Sequence, residues 1–247
     1  MEKRLDKINS DLSIYQYTRG FAYGTDAVLV SAFCRVKRGQ KGADLGTGTG
    51  IIPILLTYHK KPEHIFAFEI QPEYADLARE NTCLCNYQDK ITVINDDIKN
   101  ITPSYMKNYG VEALDFVVTN PPYMKVDTGA LGDCDRKVLA RHEAHCSVSD
   151  IAKSISFLLK NRGDAYIIYR TERLVDLFSA LRENGLEPKE LVMVHSFELE
   201  SPKLFMCRAR KGAGVGLKVC DFVIYEREGV YTKEMERIYG EGQWQMK

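Results

Sequence analysis

The sequence predicts an α/β fold: a mostly parallel, doubly wound sheet of seven strands that closes in a C-terminal antiparallel hairpin. Three observations carry that prediction. Short apolar runs alternate with helix-period segments from Lys41 to Asn184, the pattern of repeated strand–helix–strand units. A glycine-rich turn, Gly46-Thr47-Gly48-Thr49-Gly50, follows the first of these runs and opens the first of these helices. Polar or turn-forming residues (Glu69, Asp97, Asn120-Pro121-Pro122) follow later runs, and in a doubly wound sheet such positions share the edge where ligands bind.

Residues 1–20 are polar, with Ile8, Leu12, Ile14 and Tyr15 as packing points. Ala27 to Val36 has an apolar helical face in Ala27, Val28, Val30, Ala32 and Phe33, and Thr25 or Asp26 stands where a cap belongs. Lys41–Leu45 is the first strand and Ile51–Tyr58 its crossover helix. Ile65–Glu69 is the second strand, and Pro72, favoured in a first turn, starts a helix to Asn86. Ile91–Ile94 and Leu114–Thr119 are the third and fourth strands, separated by a weak segment around 103–110. No periodicity holds from Met124 to Cys146, and a loop of that length in a compact domain is usually functional. Ser149 or Asp150 caps a helix to Lys160, Asp164–Tyr169 is the fifth strand, and Gly185 stops a helix over Glu172–Asn184. Leu191–Phe197 and Leu204–Arg208 form the hairpin, and Val219–Tyr225 and Lys233–Tyr239 add a strand and a short helix. One domain accounts for all of this: a cap segment over 1–36, a core over 37–210 and an extension over 211–247.

A chain of 247 residues can bury a core large enough to fold alone, and its 45% apolar and 28% charged residues suit a soluble globular protein. Formal net charge is zero, so a nucleic-acid partner needs a local basic face. Seven cysteines without a C-x-x-C pair point to a reduced interior. The first twelve residues lack the apolar core of a secretory signal, and the longest apolar run falls short of a membrane span. A cytoplasmic protein is expected, as a monomer or weak homodimer. His142, His145 and Cys146 match no common zinc spacing, so no metal is expected.

The chemistry sits at the strand ends. Glycines at 46, 48 and 50 let a ligand approach the backbone closely, and the helix beyond presents its free N–H groups to the turn. The dinucleotide fingerprint G-x-G-x-x-G fails, because position 51 is Ile. Glu69, about 20 residues after the turn, suits acceptance from two ribose hydroxyls. Asp97, with Asp96 as its rival, can accept from an adenine amino group while the Ile98 N–H donates to a ring nitrogen. In Asn120-Pro121-Pro122-Tyr123 two prolines make a rigid, extended element. The Asn120 side-chain oxygen and the Pro121 carbonyl can accept from one amino group, and Tyr123 offers a face for a flipped-out base.

Asp44 to Gly50 resembles motif I of the S-adenosylmethionine (SAM)-dependent methyltransferases. Together with Asn120 to Tyr123 it resembles the amino-methyltransferases that modify adenine N6, guanine N2 or glutamine N5. Phe21 to Asp26, Arg141-His142-Glu143 and Val230-Tyr231-Thr232 are similar to segments of the tRNA(Val) adenine-37 N6-methyltransferase family. The resemblance implies a Rossmann-like fold, SAM as cofactor and an anticodon-loop adenine of a valine tRNA as target. It implies that Gly46, Gly48 and Glu69 bind SAM, with Asp97 near its adenine, Asp44 near its methionine end and Thr25 or Asp26 closing over it. Asn120, Pro121 and Tyr123 then hold the base, with Asn120 also beside the cofactor.

Arg136, Lys137 and Arg141 in the long loop, and Arg208, Arg210, Lys211 and Lys218 near the end, are candidates for an RNA-facing surface, with ordinary solvated faces as the alternative. Glutamine N5 methylation of a protein and guanine N2 methylation of ribosomal RNA are the rival activities. About 20 residues before the first helix leave no room for the extra helical domain usual in the glutamine enzymes, and the guanine enzymes tend to carry Phe where Tyr123 stands. A SAM-fold module that binds RNA or protein without turnover is the non-enzymatic alternative, and the intact glycine turn and Asn-Pro-Pro-Tyr argue against it.

Overall fold

The computed structural model describes residues 2–20, 23–121 and 146–244. A hairpin of β1 (Lys3–Lys7) and β2 (Ser13–Tyr17) leads to helix α1 (Thr25–Phe33). Then β3 (Lys41–Leu45), α2 (Ile51–His59), β4 (His64–Glu69), α3 (Pro72–Leu84) and β5 (Ile91–Asn95) follow in strict alternation. After β6 (Leu114–Thr119) come α4 (Val148–Leu158), β7 (Leu159–Arg170), α5 (Leu174–Glu183), β8 (Leu186–His195) and β9 (Leu204–Lys211). Last are β10 (Lys218–Val223), the short pair β11 (Tyr225–Arg227) and β12 (Val230–Tyr231), and α6 (Lys233–Glu241).

Among the described residues the central sheet has eight strands in the order β10-β8-β9-β7-β6-β3-β4-β5. β3 to β7 are mutually parallel, and β9 alone runs against its two neighbours. The order reverses between β3 and β6, which places a crevice at their carboxyl ends. Side chains alternate across each strand, so one strand feeds two cores. Phe116 and Val118 of β6 and Tyr166 and Ile168 of β7 pack with α1, α2 and α6 on one face. Val117, Ala165 and Ile167 pack with α4 and α5 on the other. Phe68, Phe116 and Phe205 are fully buried, and each such side chain stabilises the fold by about 1.5–3 kcal/mol.

Local sequence explains the helix starts. Pro72 is the first residue of α3, where its missing N–H costs nothing. Ser147 caps α4 in a capping box: its hydroxyl accepts from the Asp150 N–H, and Asp150 accepts in return from the Ser147 N–H. The cap therefore lies two residues before Ser149. Gly24, with no side-chain bond, caps α1 in place of Thr25 or Asp26, because that helix starts two residues before Ala27. The polar N-terminal stretch forms a hairpin, and its Tyr17 ring meets Tyr74 of α3 edge-on at 5.3 Å. The strand count rises from seven to eight because Lys218–Val223 joins the sheet beside β8. The weak segment at 103–110 is a 3₁₀ turn, Tyr105–Tyr109. No helix among the described residues is long and apolar enough to cross a membrane.

Candidate functional site

A cavity of about 890 Å³ opens at the carboxyl ends of β3, β4, β6 and β7. Its floor is the glycine turn. The N–H groups of Gly46 and Thr47 both donate to the Phe68 carbonyl at 2.9 Å, which ties the turn to the end of β4. Gly46 and Gly48 have φ of +77° and +55°, and a Cβ built on either would meet no atom within 4 Å. The backbone there is bare and faces open space, as a close-approaching ligand requires.

Glu69 ends β4 and is 6% exposed. Its Oε2 accepts from the Gly48 N–H and its Oε1 from the Gln71 N–H, both at 2.9 Å. The carboxylate thus holds the turn in shape while it lines the cavity. Asp97 also lines the cavity, and its Oδ1 accepts from the Lys99 N–H at 2.9 Å at the head of the 3₁₀ turn Ile98–Asn100. Ile98 stands beside it on the wall. The rival Asp96 is spent elsewhere. Burial works to raise its carboxyl, but hydrogen bonds from Tyr105, Asn100 and the Asp97 N–H outweigh that and hold it below its ordinary value.

Asp44 differs from the other acids. It is fully buried beneath the turn, it does not reach the cavity wall, and neither carboxylate oxygen has a hydrogen-bond partner. Burial pushes its carboxyl up to about 7; the nearby Thr47 hydroxyl opposes the rise and the Glu69 charge adds to it. Thr25 is likewise off the wall, whereas Asp26 is on it with its Oδ1 accepting from the Ala27 N–H.

Asn120 and Pro121 leave the end of β6 and line the same cavity. The hydroxyl of Thr119 donates to the Leu45 carbonyl at 2.8 Å and locks this strand end against the glycine turn. Gly46, Gly48, Glu69, Asp97, Ile98, Asn120 and Pro121 are therefore brought together around one space. Tyr123, Arg136, Lys137 and Arg141 lie outside the described residues, as do His142 and His145. Cys146 lines the cavity, where burial pushes its thiol up to about 11, an inert state at neutral pH.

The turn is also braced from behind. Asn81 of α3 is fully buried; its amide nitrogen donates to the carbonyls of Thr49 and Tyr15, both at 2.9 Å, and its oxygen accepts from the Tyr15 N–H at 2.7 Å. One side chain thus joins the glycine turn, α3 and the N-terminal hairpin.

Three of the cations named as candidates for an RNA-facing surface have partners within the fold. Arg208 pairs with Asp164 at 2.9 Å and Glu190 at 2.6 Å, and Arg210 grips Asp164 with two nitrogens at 2.8 Å. Lys211 donates to the carbonyls of Ser156 and Leu159. Because β9 is antiparallel, its last residues pair with the first of β8, at the end of the sheet away from the cavity. The two arginines compensate buried Glu190 and partly buried Asp164, and Lys211 satisfies backbone carbonyls. Cavity residues that the sequence reading missed are Tyr23, Tyr74, Tyr169 and Arg173. The last two stand at the carboxyl end of a recognised strand, Tyr169 within it and Arg173 just beyond it.

Comparison with known proteins agrees with this arrangement. Residues 17–133 match the family described as Methyltransferase small domain. The chain is 31% identical over 150 residues to a Bacteroides thetaiotaomicron protein named tRNA1(Val) (adenine(37)-N6)-methyltransferase, covering 60% of each. Namesakes from Porphyromonas gingivalis and Shewanella baltica are 28% and 24% identical, covering 87% and 89% of this chain and 86% and 90% of theirs. Among solved structures, a predicted O-methyltransferase from Agrobacterium tumefaciens superposes with a TM-score of 0.70 at 19% identity, covering 88% of this chain and 97% of its own. The AdoMet-bound TYW2 of M. jannaschii gives 0.54 at 13% identity, covering 84% and 85%.

Proposed function

We propose that this chain, a SAM-dependent methyltransferase, methylates an exocyclic amino group, and that the group is N6 of an adenine in tRNA. The observation that carries the reading is the shared cavity: the bare glycine turn and Glu69 lie on one side, and Asn120 with Pro121 on the other. The relatives' names supply the substrate class.

The wall suits the cofactor. Backbone at Gly46 and Gly48 is open to a ligand, Glu69 can still accept from ribose hydroxyls, and Asp97 and Ile98 offer an acceptor and an apolar face for adenine. The orphaned carboxylate of Asp44 beneath the turn complements a cationic ligand above it. SAM supplies an electrophilic methyl group on its sulfonium. Asn120 and Pro121 do the rest: the Asn120 oxygen and the Pro121 carbonyl accept from the two amino protons, which holds the nitrogen in place and aims its lone pair. As this nitrogen takes the methyl, the S–C bond would break and the sulfonium leave as a neutral thioether, and the amine would shed its extra proton to solvent, so no strong base is required beside it. Tyr123 is the candidate stacking partner for the base.

The test is incubation with methyl-labelled SAM and unmodified tRNA transcripts, followed by digestion and identification of the labelled nucleoside. N6-methyladenosine is expected. Label on guanine N2, label on a protein glutamine, or none on any substrate refutes the reading.

A further inference from the structure

The cavity continues past Asn120 onto the next strand. Tyr169 is the penultimate residue of β7, and Arg173 ends the 3₁₀ turn Thr171–Arg173 that follows; both line the cavity. β7 pairs with β6 on the side away from β3, so both stand across Asn120 from Gly46, Gly48, Glu69 and Asp97. The charged lining residues Asp26, Glu69 and Asp97 are acidic; Arg173 is the one cation among the described lining residues.

The turn that carries Arg173 is anchored. The Thr171 N–H donates to the Lys203 carbonyl at 3.2 Å and its hydroxyl to the Pro202 carbonyl at 2.8 Å. The Nε of Arg173 donates to Asp176 at 2.7 Å, which orients the guanidinium plane. Tyr169 is 8% exposed and forms a fixed wall beside it.

We propose that Arg173 binds a phosphate of the nucleotide whose amine is presented to Asn120, with Tyr169 as the wall on which that nucleotide rests. This rests on the RNA reading above. A guanidinium is a planar set of donors matched to phosphate, and at this position it meets a ligand on the side of the cavity away from the cofactor cradle. A protein glutamine carries no phosphate, so Arg173 also discriminates between substrate classes.

The experiment compares wild type, Arg173→Gln and Arg173→Lys on an unmodified tRNA transcript, with Arg182→Gln, an exposed arginine on the far end of α5, as the charge control. SAM affinity is measured by calorimetry alongside. Arg173→Gln is expected to raise KM for tRNA about tenfold and to leave SAM affinity unchanged. It should also make the slope of log kcat/KM against log salt shallower by about one. Arg173→Lys restores the slope and only part of KM, because a point charge lacks the planar fork. An unchanged slope in Arg173→Gln, the same change in Arg182→Gln, or a parallel loss of SAM affinity overturns the proposal while leaving the RNA reading intact. Wild-type labelling of a protein glutamine in place of tRNA overturns both.

Discussion

Replacing Asp44 with Asn should flatten the pH dependence of the cofactor-free protein's stability. The carboxyl ordinarily titrates near 3.8 and is pushed up to about 7 in the fold, by burial first. A carboxyl raised in this way favours the fold while it is protonated. That contribution is fully present below about 3.8 and is lost as the pH rises through about 7. At 1.36 kcal/mol for each pKa unit, the loss amounts to about 4 kcal/mol. The amide of the Asp44→Asn variant has no charge to bury at any pH. The stability of Asp44→Asn relative to wild type should therefore be level below about pH 4, then climb by about 1.4 kcal/mol per pH unit to a plateau above pH 7. Urea unfolding of both proteins between pH 5 and 8.5 measures it, and comparing the two cancels every other titrating group. Any unmet hydrogen bond of the new amide adds a constant and leaves the slope alone. A difference that stays constant across the window would refute the reasoning that this carboxylate is uncompensated. The same linkage reaches the cofactor: a cationic ligand above the turn favours charged Asp44, so wild-type SAM affinity should rise with pH through the window and the variant's should not.

Four further outcomes follow from the geometry. Asn120→Ala should keep SAM affinity and lose about a hundredfold or more in single-turnover methyl transfer, and equal losses in both would show that the residue serves the cofactor instead. Gly46→Ala should cost about 1–2 kcal/mol of stability for a side chain at φ +77°, while SAM affinity, measured by calorimetry, falls much further because the Cβ enters the ligand's space. Glu69→Gln places an amide NH₂ against a backbone N–H and removes a charge-assisted bond worth about 1.5–3 kcal/mol, so SAM should bind at least tenfold more weakly. Arg208→Ala leaves Glu190 to Arg35 and Asp164 to Arg210, so it removes charge-assisted bonds without stranding a charge and should destabilise by about 1.5–3 kcal/mol in urea, with the salt dependence of tRNA methylation unchanged.

Much of this site was legible because strand ends are legible. Glu69 ends an apolar run, Asn120 follows one directly and Asp97 comes just past one, and a parallel sheet brings the carboxyl ends of its strands together whatever the intervening helices do. Asp44 was legible as a residue and not as a state. Nothing in its neighbours along the chain says that its oxygens are sealed off, because burial is settled by β4 and β6 on either side. The internal pairing of the basic cluster was hidden for a related reason. Arg208 and Arg210 look like a charged face along the chain, but their partners Asp164 and Glu190 lie 18 to 46 residues away and meet them only through antiparallel pairing. Arg173 reads along the chain as an ordinary helix-start charge; its place on the cavity wall depends on which side of β6 the strand β7 falls, which is set by topology.

The Asn81 brace has a spectroscopic consequence. The Tyr15 N–H lies in the N-terminal hairpin, yet its acceptor also holds the Thr49 carbonyl of the glycine turn. When the turn is loose, Asn81 is less firmly held and this proton becomes accessible to deuterium. When a ligand pins the turn, exchange slows. Tyr15 is therefore expected to report occupancy, read by amide exchange without a label and without touching the cavity; exchange that is the same with and without ligand would show that the brace does not couple the two.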